Sequence, residues 1–174
     1  MALRGRPKKL DFDALWSYAL GVLGRRAHSA GELKQKLTRR AESYPDVDAI
    51  LAKLRVYGFT DDRKFSESLA AARLQNQGFG RARVLRELNA RRVTPSIAQR
   101  AVEDAFAGTD ELGLVQQFLN RKYRGRNLAE FLSEEKNMAN VYRRLRTAGF
   151  SSRAVLTVLK RHNHHAADFD EPEE

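Results

Sequence analysis

Residues 29–58 read SAGELKQKLTRRAESYPDVDAILAKLRVYG, and this stretch predicts two helices joined by a turn. Its apolar residues recur at spacings of three and four, which places them on one face of each helix. Ser29 followed by Glu32 is a capping box, in which the two side chains satisfy amide groups at the start of a helix. Pro45 suits the first turn of the second helix, and Gly58 can adopt the left-handed conformation that ends it.

A further helix precedes this pair, and the three-helix pattern then recurs along the chain. The apolar residues of the three helices are Leu15, Tyr18, Ala19, Val22 and Leu23, then Ala30, Leu33, Leu37, Ala41 and Tyr44, then Val47, Ile50, Leu51 and Leu54. A shift of 51 residues places Leu37 on Leu88, and a further 57 residues place Leu88 on Leu145. Alternation typical of strands does not occur for long. We therefore predict an all-α fold, an elongated tandem array of three three-helix repeats of helix-turn-helix type.

The repeats divide the chain into five predicted parts. These are a basic, flexible N-terminus (residues 1–11), repeat 1 (12–60), repeat 2 (61–109), repeat 3 (110–162) and an acidic, disordered tail (163–174). The longer spacing before the third repeat puts extra residues around Arg124 to Lys136. Helices of about eleven to fifteen residues, as predicted in the first repeat, are only marginally stable in water by themselves, so they must pack on one another.

The charge balance points to an anionic partner. The chain has 32 Lys and Arg against 22 Asp and Glu, a formal net charge of +10. Residues 163–174 hold five acids and no Lys or Arg, so residues 1–162 carry +15. Nucleic acid or an acidic protein groove would offset such a charge, and the alternative is a merely solvated basic surface. The acidic tail would either solvate the chain or compete with an anionic ligand.

The residue inventory argues against an enzyme, a cofactor site and a metal site. There is no cysteine, so disulfides and thiolate chemistry are excluded. No glycine-rich phosphate loop or nucleophile elbow is present, and the cluster His162, His164 and His165 would bind metal only weakly. Asp61 and Asp62 fit the start of a helix better than a catalytic carboxylate pair. Neither a signal peptide nor a membrane span is expected, so we expect a cytoplasmic monomer.

Basic residues decorate the outward faces of the predicted helices. Val84, Leu85 and Leu88 set the buried face of one helix, so Arg81, Arg83 and Arg86 should point outward. Arg81 and Arg83 lie at its N-terminus, where positive charge is unfavourable, so a phosphate or carboxylate docking there would gain from the side chains and from free amides. For Arg39, Arg91 and Arg92, interaction with the helix dipole is an alternative explanation. The candidate residues for contacting nucleic acid or a partner are Lys34, Lys36, Arg39, Arg73, Arg81, Arg83, Arg86, Arg91, Arg92, Arg121, Lys122, Arg124, Arg143 and Arg144.

Two motifs carry a resemblance to a known family. The run Gly58-Phe59-Thr60-Asp61-Asp62-Arg63-Lys64-Phe65, followed by Arg73 and by Gly78-Phe79-Gly80-Arg81 through Leu88, resembles the central signature of the RecX regulatory proteins. Arg26 to Leu37 resembles the first-repeat motif of that family. The similarity covers roughly residues 12–162 and is strongest from 14 to 93. Two departures concern local packing: Thr60 stands where an apolar residue is usual, and Val93-Thr94 replaces a common glycine-containing helix end.

The resemblance has implications that composition and spacing do not supply. It implies tandem three-helix repeats that bind the RecA recombinase or its filament on DNA and suppress the recombinase, ATPase and coprotease activities of RecA. It also implies backbone contacts with single- or double-stranded DNA, and a role in DNA recombination, DNA repair and the SOS response.

Two other functions are open to a basic helical protein. A stand-alone nucleic-acid-binding protein of helix-turn-helix type would need a recognition helix that reads bases, whereas the basic clusters here are spread over unlike helices. An enzyme acting on nucleic acid would need a clustered acidic metal site, which the sequence does not suggest.

Overall fold

The computed structural model describes residues 9–162, and helices account for most of them. The helices are α1 (Phe12–Leu23), α2 (Ala30–Thr38), α3 (Tyr44–Val56), α4 (Asp62–Ala72), α5 (Arg81–Ala90), α6 (Pro95–Ala105), α7 (Glu111–Lys122), α8 (Leu128–Ser133), α9 (Glu135–Thr147) and α10 (Ser152–His162). A π-helical segment, Arg73–Gln77, continues α4. The only strand-type pairing among residues 9–162 is an isolated bridge between Leu10 and Ala41. The predicted all-α fold is confirmed.

The helix starts follow from capping side chains that the sequence supplies. The Ser29 hydroxyl accepts a hydrogen bond from the Glu32 amide (3.0 Å) at the start of α2. The Asp61 carboxylate accepts from the amides of Arg63 and Lys64 (3.0 Å each) at the start of α4, as expected for a cap. Gly58 has φ 73° after α3, the left-handed conformation that glycine adopts without steric cost.

The contacts between residues divide the described part of the chain into two compact units. Unit 1 comprises Leu88–Ala101 and the described residues up to Ser68, and unit 2 comprises Leu69–Glu87 and the described residues from Val102 onward. The division passes through α4, α5 and α6, so it does not coincide with the boundaries of the predicted repeats. Those boundaries stay a prediction.

The core of unit 1 uses most of the predicted apolar stripes. Leu15, Ala19, Leu33, Leu37, Val47, Ile50 and Leu54 are all fully buried. Tyr44 is an exception, because it is 64% exposed at the first position of α3 instead of continuing the stripe of α2. Leu10 joins the unit through backbone hydrogen bonds to Arg40 (2.8 Å) and Glu42 (2.9 Å).

The core of unit 2 forms where α10 packs on α7, α8 and α9. Val115, Leu119, Leu145, Val155 and Val158 are buried there. The extra residues predicted around Arg124 to Lys136 in the third repeat include α8, whose Leu132 is completely buried. The third group of helices therefore contains one short helix more than the first group.

The predictions for the chain ends fall largely outside the described part. This holds for most of the basic N-terminus, for the acidic tail, and for His164 and His165. His162, the last described residue, lies with Nε2 2.9 Å from the Gln116 side-chain oxygen. None of the helices within residues 9–162 is long and apolar enough to cross a membrane.

Candidate functional site

The α5 arginines lie on unit 2, in two different cavities. Arg83 and Arg86 line an open cleft of about 690 Å³, together with Arg73, Gln77, Phe79 and Glu87. Arg81 lines a separate, more apolar cavity of about 470 Å³. The three arginines predicted to act together therefore face different surroundings, and Arg83 and Arg86 are the pair that the structure groups.

Arg83 and Arg86 are oriented by aromatic and backbone groups. The guanidinium carbon of Arg83 lies 3.8 Å from the centroid of the Phe79 ring, a close stacking contact. The Arg86 guanidinium donates a hydrogen bond to the Thr147 carbonyl (3.0 Å). Within residues 9–162, neither arginine lies within ion-pair distance of a carboxylate. Both keep donors that suit phosphate or carboxylate oxygens.

Arg73 plays a different part, because its charge is paired within the cleft. Its Nε and Nη2 atoms each donate to the Glu87 carboxylate at 2.7 Å, a bidentate arrangement. The hydrogen bonds with Glu87 raise the pKa of Arg73. Arg73 also donates to the Gln77 side chain (3.4 Å), which lies at the end of the π-helical segment. Arg73 therefore holds Glu87 and Gln77 in place along the cleft, and its charge is already paired.

Two amides at the start of α5 that the prediction took as free for an anion already donate to carbonyls. The Gly80 amide donates to the Ala148 carbonyl (2.8 Å), and the Ala82 amide donates to the Gly149 carbonyl (3.1 Å). The positive end of α5 thus meets carbonyls of the two residues that follow α9. An anion in the cleft would have to rely on the arginine side chains.

Leu85 lines the second cavity of unit 2. The prediction placed it with the fully buried Val84 and Leu88, but it is only half-buried because it lines this cavity with Phe106, Leu114 and Phe150. The guanidinium carbon of Arg81 lies 5.7 Å from the Phe106 ring centroid. The cavity is therefore apolar with a cation beside it.

Three candidate residues belong to α2 or directly follow it on unit 1: Lys34, Lys36 and Arg39. Their surroundings differ. Lys34 forms an ion pair with Asp48 (2.8 Å), and this hydrogen bond raises the pKa of Lys34. Lys36 is half-buried, and Arg39 is exposed. Because it is paired with Asp48, Lys34 offers less free charge than Arg39 does.

Arg91 and Arg92 follow α5 and also belong to unit 1. Arg91 lies 3.6 Å from the Glu32 carboxylate, which Arg26 also contacts at 3.2 Å. Burial alone would raise the pKa of Glu32, but the hydrogen bond and charge of Arg26, and then the charge of Arg91, hold it below its usual value. The Glu32 carboxylate therefore pairs with two arginines and does not accept the Ser29 amide hydrogen bond that the predicted capping box requires. Arg92 is exposed and adopts φ 58°.

The remaining candidates lie on α7 and α9 of unit 2. Arg121 donates to the Gln77 carbonyl and so reaches the segment that borders the cleft. Arg143 donates to Asn140 (2.8 Å) on its own helix. Lys122, Arg124 and Arg144 are exposed, and no described contact brings them to the cleft. The structure thus gathers Arg73, Arg83 and Arg86, with Arg121 beside them.

Sequence reasoning missed the aromatic side chains that accompany these cations. Phe79, which orients Arg83, and Phe59 enter the prediction only as parts of a motif, and Tyr57 is not singled out by it. Tyr57 and Phe59 on unit 1 are 60% and 52% exposed. A usable signal was present: both flank Gly58 and lie outside the apolar stripe of α3.

The fold and the cleft define a helical protein with an arginine-lined cleft. Residues 16–54 match the family model described as RecX, first three-helix domain, and residues 61–102 match RecX, second three-helix domain. The chain is 31% identical over 147 residues to the regulatory protein RecX of Herminiimonas arsenicoxydans, covering 84% of this chain and 91% of that protein. It is 30% identical to the RecX of Ralstonia nicotianae, over 99% of both chains. The chain belongs to the RecX family of regulatory proteins.

Solved structures agree with this fold. The crystal structure of RecX from Lactobacillus salivarius matches with a TM-score of 0.60 at 19% identity, covering 87% of this chain and 96% of that one. Another crystal structure of regulatory protein RecX gives a TM-score of 0.63 at 21% identity, covering 84% of this chain and 70% of that one. The predicted family resemblance is confirmed, and the relatives are named as regulatory proteins, not as enzymes.

Proposed function

We propose that this protein binds the RecA recombinase, or the RecA filament on DNA, and inhibits its recombinase, ATPase and coprotease activities. Membership of the RecX family supports a regulatory role. The net charge of +10 supports a partner that presents phosphates or carboxylates. In this proposal the protein acts in the cytoplasm as a monomer, in DNA recombination, DNA repair and the SOS response.

The observation that carries the proposal is the cleft around Arg83 and Arg86. Arg83 is held against Phe79 (3.8 Å) and Arg86 against the Thr147 carbonyl (3.0 Å), so binding a partner costs these side chains less conformational entropy than it would cost free arginines. Oriented guanidinium groups bind carboxylate and phosphate oxygens in pairs of hydrogen bonds. Either an acidic side chain of RecA or a DNA phosphate fits this surface.

The test is a titration of the purified protein into preformed RecA filaments on single-stranded DNA, following ATP hydrolysis and filament length. Charge reversal of both Arg83→Glu and Arg86→Glu should raise the concentration needed for half-maximal inhibition about 30-fold or more, because removing a central interface arginine often costs about 2 kcal/mol. Arg81→Glu alone should have a smaller effect, since Arg81 lines the other cavity.

A matched control reverses the exposed Arg153 and Lys160 of α10, which changes the net charge by the same amount on the same unit. This control should inhibit RecA nearly as well as the unaltered protein. If it loses as much inhibition as the cleft variant, total charge and not the cleft decides binding. If the unaltered protein binds DNA but leaves RecA unaffected, the proposed function is wrong, and strong sequence selectivity would then favour a stand-alone DNA-binding protein.

A further inference from the structure

Three aromatic side chains meet at the surface of unit 1 and form a cluster that we call the aromatic platform: the half-buried Trp16 and the exposed Tyr57 and Phe59. The Tyr57 ring centroid lies 6.2 Å from that of Trp16 and 6.3 Å from that of Phe59. The rings meet edge-on, at interplanar angles of 64° and 62°. Because no pair is stacked in parallel, the platform leaves aromatic surface available to a flat ligand.

The exposure of the platform is unusual for side chains of this size. Tyr57 is 60% exposed, Phe59 is 52% exposed, and the neighbouring Val56 is 81% exposed. These are three of the four large apolar residues that are exposed in the described part of the chain. Contiguous apolar surface of this kind marks an interaction site more often than isolated exposed residues do.

Cations border the platform and set the chemistry of its partner. The Lys53 ammonium lies 4.5 Å from the Trp16 ring centroid and 6.0 Å from that of Phe12. Arg55 is exposed in the last turn of α3. Among residues 9–162, neither cation has a carboxylate within ion-pair distance. The platform therefore combines aromatic rings with positive charge that is not offset by an acid.

We propose that the aromatic platform is a stacking site for the bases of single-stranded nucleic acid, with Lys53 and Arg55 contacting the adjacent phosphates. Single strands are bound by this combination, because every base has a flat aromatic face and every link between bases carries a negative charge. A hydrophobic protein partner would use the rings but would leave the two cations without a counter-charge. This inference concerns a different unit from the arginine cleft and needs no RecA.

The first test uses fluorescence, because Trp16 is the only tryptophan in the chain. Titration with an oligothymidylate should quench its emission as a base stacks on the platform. Affinities of variants are then measured by anisotropy of a labelled oligothymidylate. Tyr57→Ala and Phe59→Ala should each weaken binding about five- to a hundredfold, the range typical for loss of one stacked ring.

Tyr44→Ala is the matched control. Tyr44 is 64% exposed on the same unit, but it lies at the first position of α3, whereas Tyr57 follows the last. Its loss should leave the affinity within about twofold, which is little for an exposed side chain away from the site. Helical circular dichroism and thermal melting of all three variants should match those of the unaltered protein, since each side chain is mostly in solvent.

The second test separates stacking from electrostatic attraction. Tyr57→Ala leaves the charge unchanged, so the slope of log affinity against log salt should stay the same while the affinity falls. An oligonucleotide with abasic sites keeps its phosphates but lacks bases. It should bind the unaltered protein as weakly as the oligothymidylate binds the Tyr57→Ala, Phe59→Ala double variant.

The proposal is overturned if both ring variants bind the oligothymidylate like the unaltered protein, or if abasic and thymidine strands bind it equally well. It is also overturned if the ring variants bind single strands normally but lose binding to a protein partner, since the platform would then be a protein docking site. The cleft variant, Arg83→Glu with Arg86→Glu, can lose RecA inhibition and still quench Trp16 fluorescence normally with the oligothymidylate. That result supports the platform as a separate site.

Discussion

At the scale of the residue, two glycines determine how closely α5 and α9 meet. A Cβ atom on Gly80 would overlap the backbone of Gly149, and a Cβ atom on Gly149 would overlap the backbone of Arg83. Gly149 also has φ 97°, which L side chains rarely adopt. This contact lets the amides of Gly80 and Ala82 donate to the carbonyls of Ala148 and Gly149, just after α9, and so fixes the start of the helix that carries Arg83 and Arg86.

Gly80→Ala should therefore destabilise the protein. The added methyl group forces the two backbones apart, and overpacking of this kind lowers the free energy of unfolding by about 1–3 kcal/mol. Urea denaturation followed by circular dichroism measures the change. Gly21→Ala is the control, because a Cβ atom at Gly21 of α1 meets nothing within 4 Å and should raise the free energy of unfolding by about 0.5–1 kcal/mol. Equal stabilities of the two variants would contradict the close approach at Gly80.

Arg92 shows what the sequence could and could not reveal about single residues. The sequence predicts an unusual end to α5, because Val93-Thr94 replaces a glycine-containing end. The structure supplies the missing left-handed residue at Arg92, with φ 58°. No local rule identifies an arginine for this conformation, since non-glycine residues there are uncommon and depend on their surroundings.

At the scale of the helix, the start of α2 is held by one buried side chain. The Ser29 hydroxyl accepts from the Glu32 amide (3.0 Å) and donates to the Arg91 carbonyl. The Ala30 amide donates to the Asp62 carboxylate (2.7 Å). Ser29 is completely buried, so it links α2 to the chain that follows α5 within unit 1.

Ser29→Ala should lower the free energy of unfolding by about 1–2 kcal/mol, because it removes a helix cap and leaves the part-buried Arg91 carbonyl with one partner fewer. Ser43→Ala tests the same substitution at the cap position of α3, where the side chain makes no capping hydrogen bond. That variant should change the stability by less than about 0.5 kcal/mol. Thermal or urea melts compare the two, and similar losses in both would show that the Ser29 hydrogen bonds contribute nothing.

Most helices could be predicted, and the exceptions have physical causes. Apolar spacing and caps locate α1, α2 and α3, whereas α8 has only six residues, too few to show a helical period. The π-helical segment Arg73–Gln77 makes contacts with Glu87 and Arg121, which are distant in sequence. Likewise the sequence predicts that the α5 arginines are accessible. It cannot show that Phe79 and Phe106 separate them, because those contacts depend on the fold.

At the scale of the whole molecule, the distribution of charge governs attraction to nucleic acid. The described body contributes most of the cations, whereas the five acids of residues 163–174 lower the net charge from +15 to +10. Charges within about 10 Å of each other interact strongly at 0.1 M salt, and this range shrinks to about 3 Å at 1 M. The tail acids should therefore weaken DNA binding only when the salt concentration is low.

A variant that ends at residue 162 should bind a single-stranded oligonucleotide more tightly than the full chain at about 50 mM salt. The two affinities should converge at about 0.5 M salt, where screening removes long-range repulsion. A full-length variant with Asp168, Asp170, Glu171, Glu173 and Glu174 changed to the corresponding amides keeps the tail but removes its charge. It should behave like the truncated protein, because the effect is electrostatic. A difference that persists at high salt, or one that appears only on truncation, would assign the effect to the tail chain itself and not to its charge.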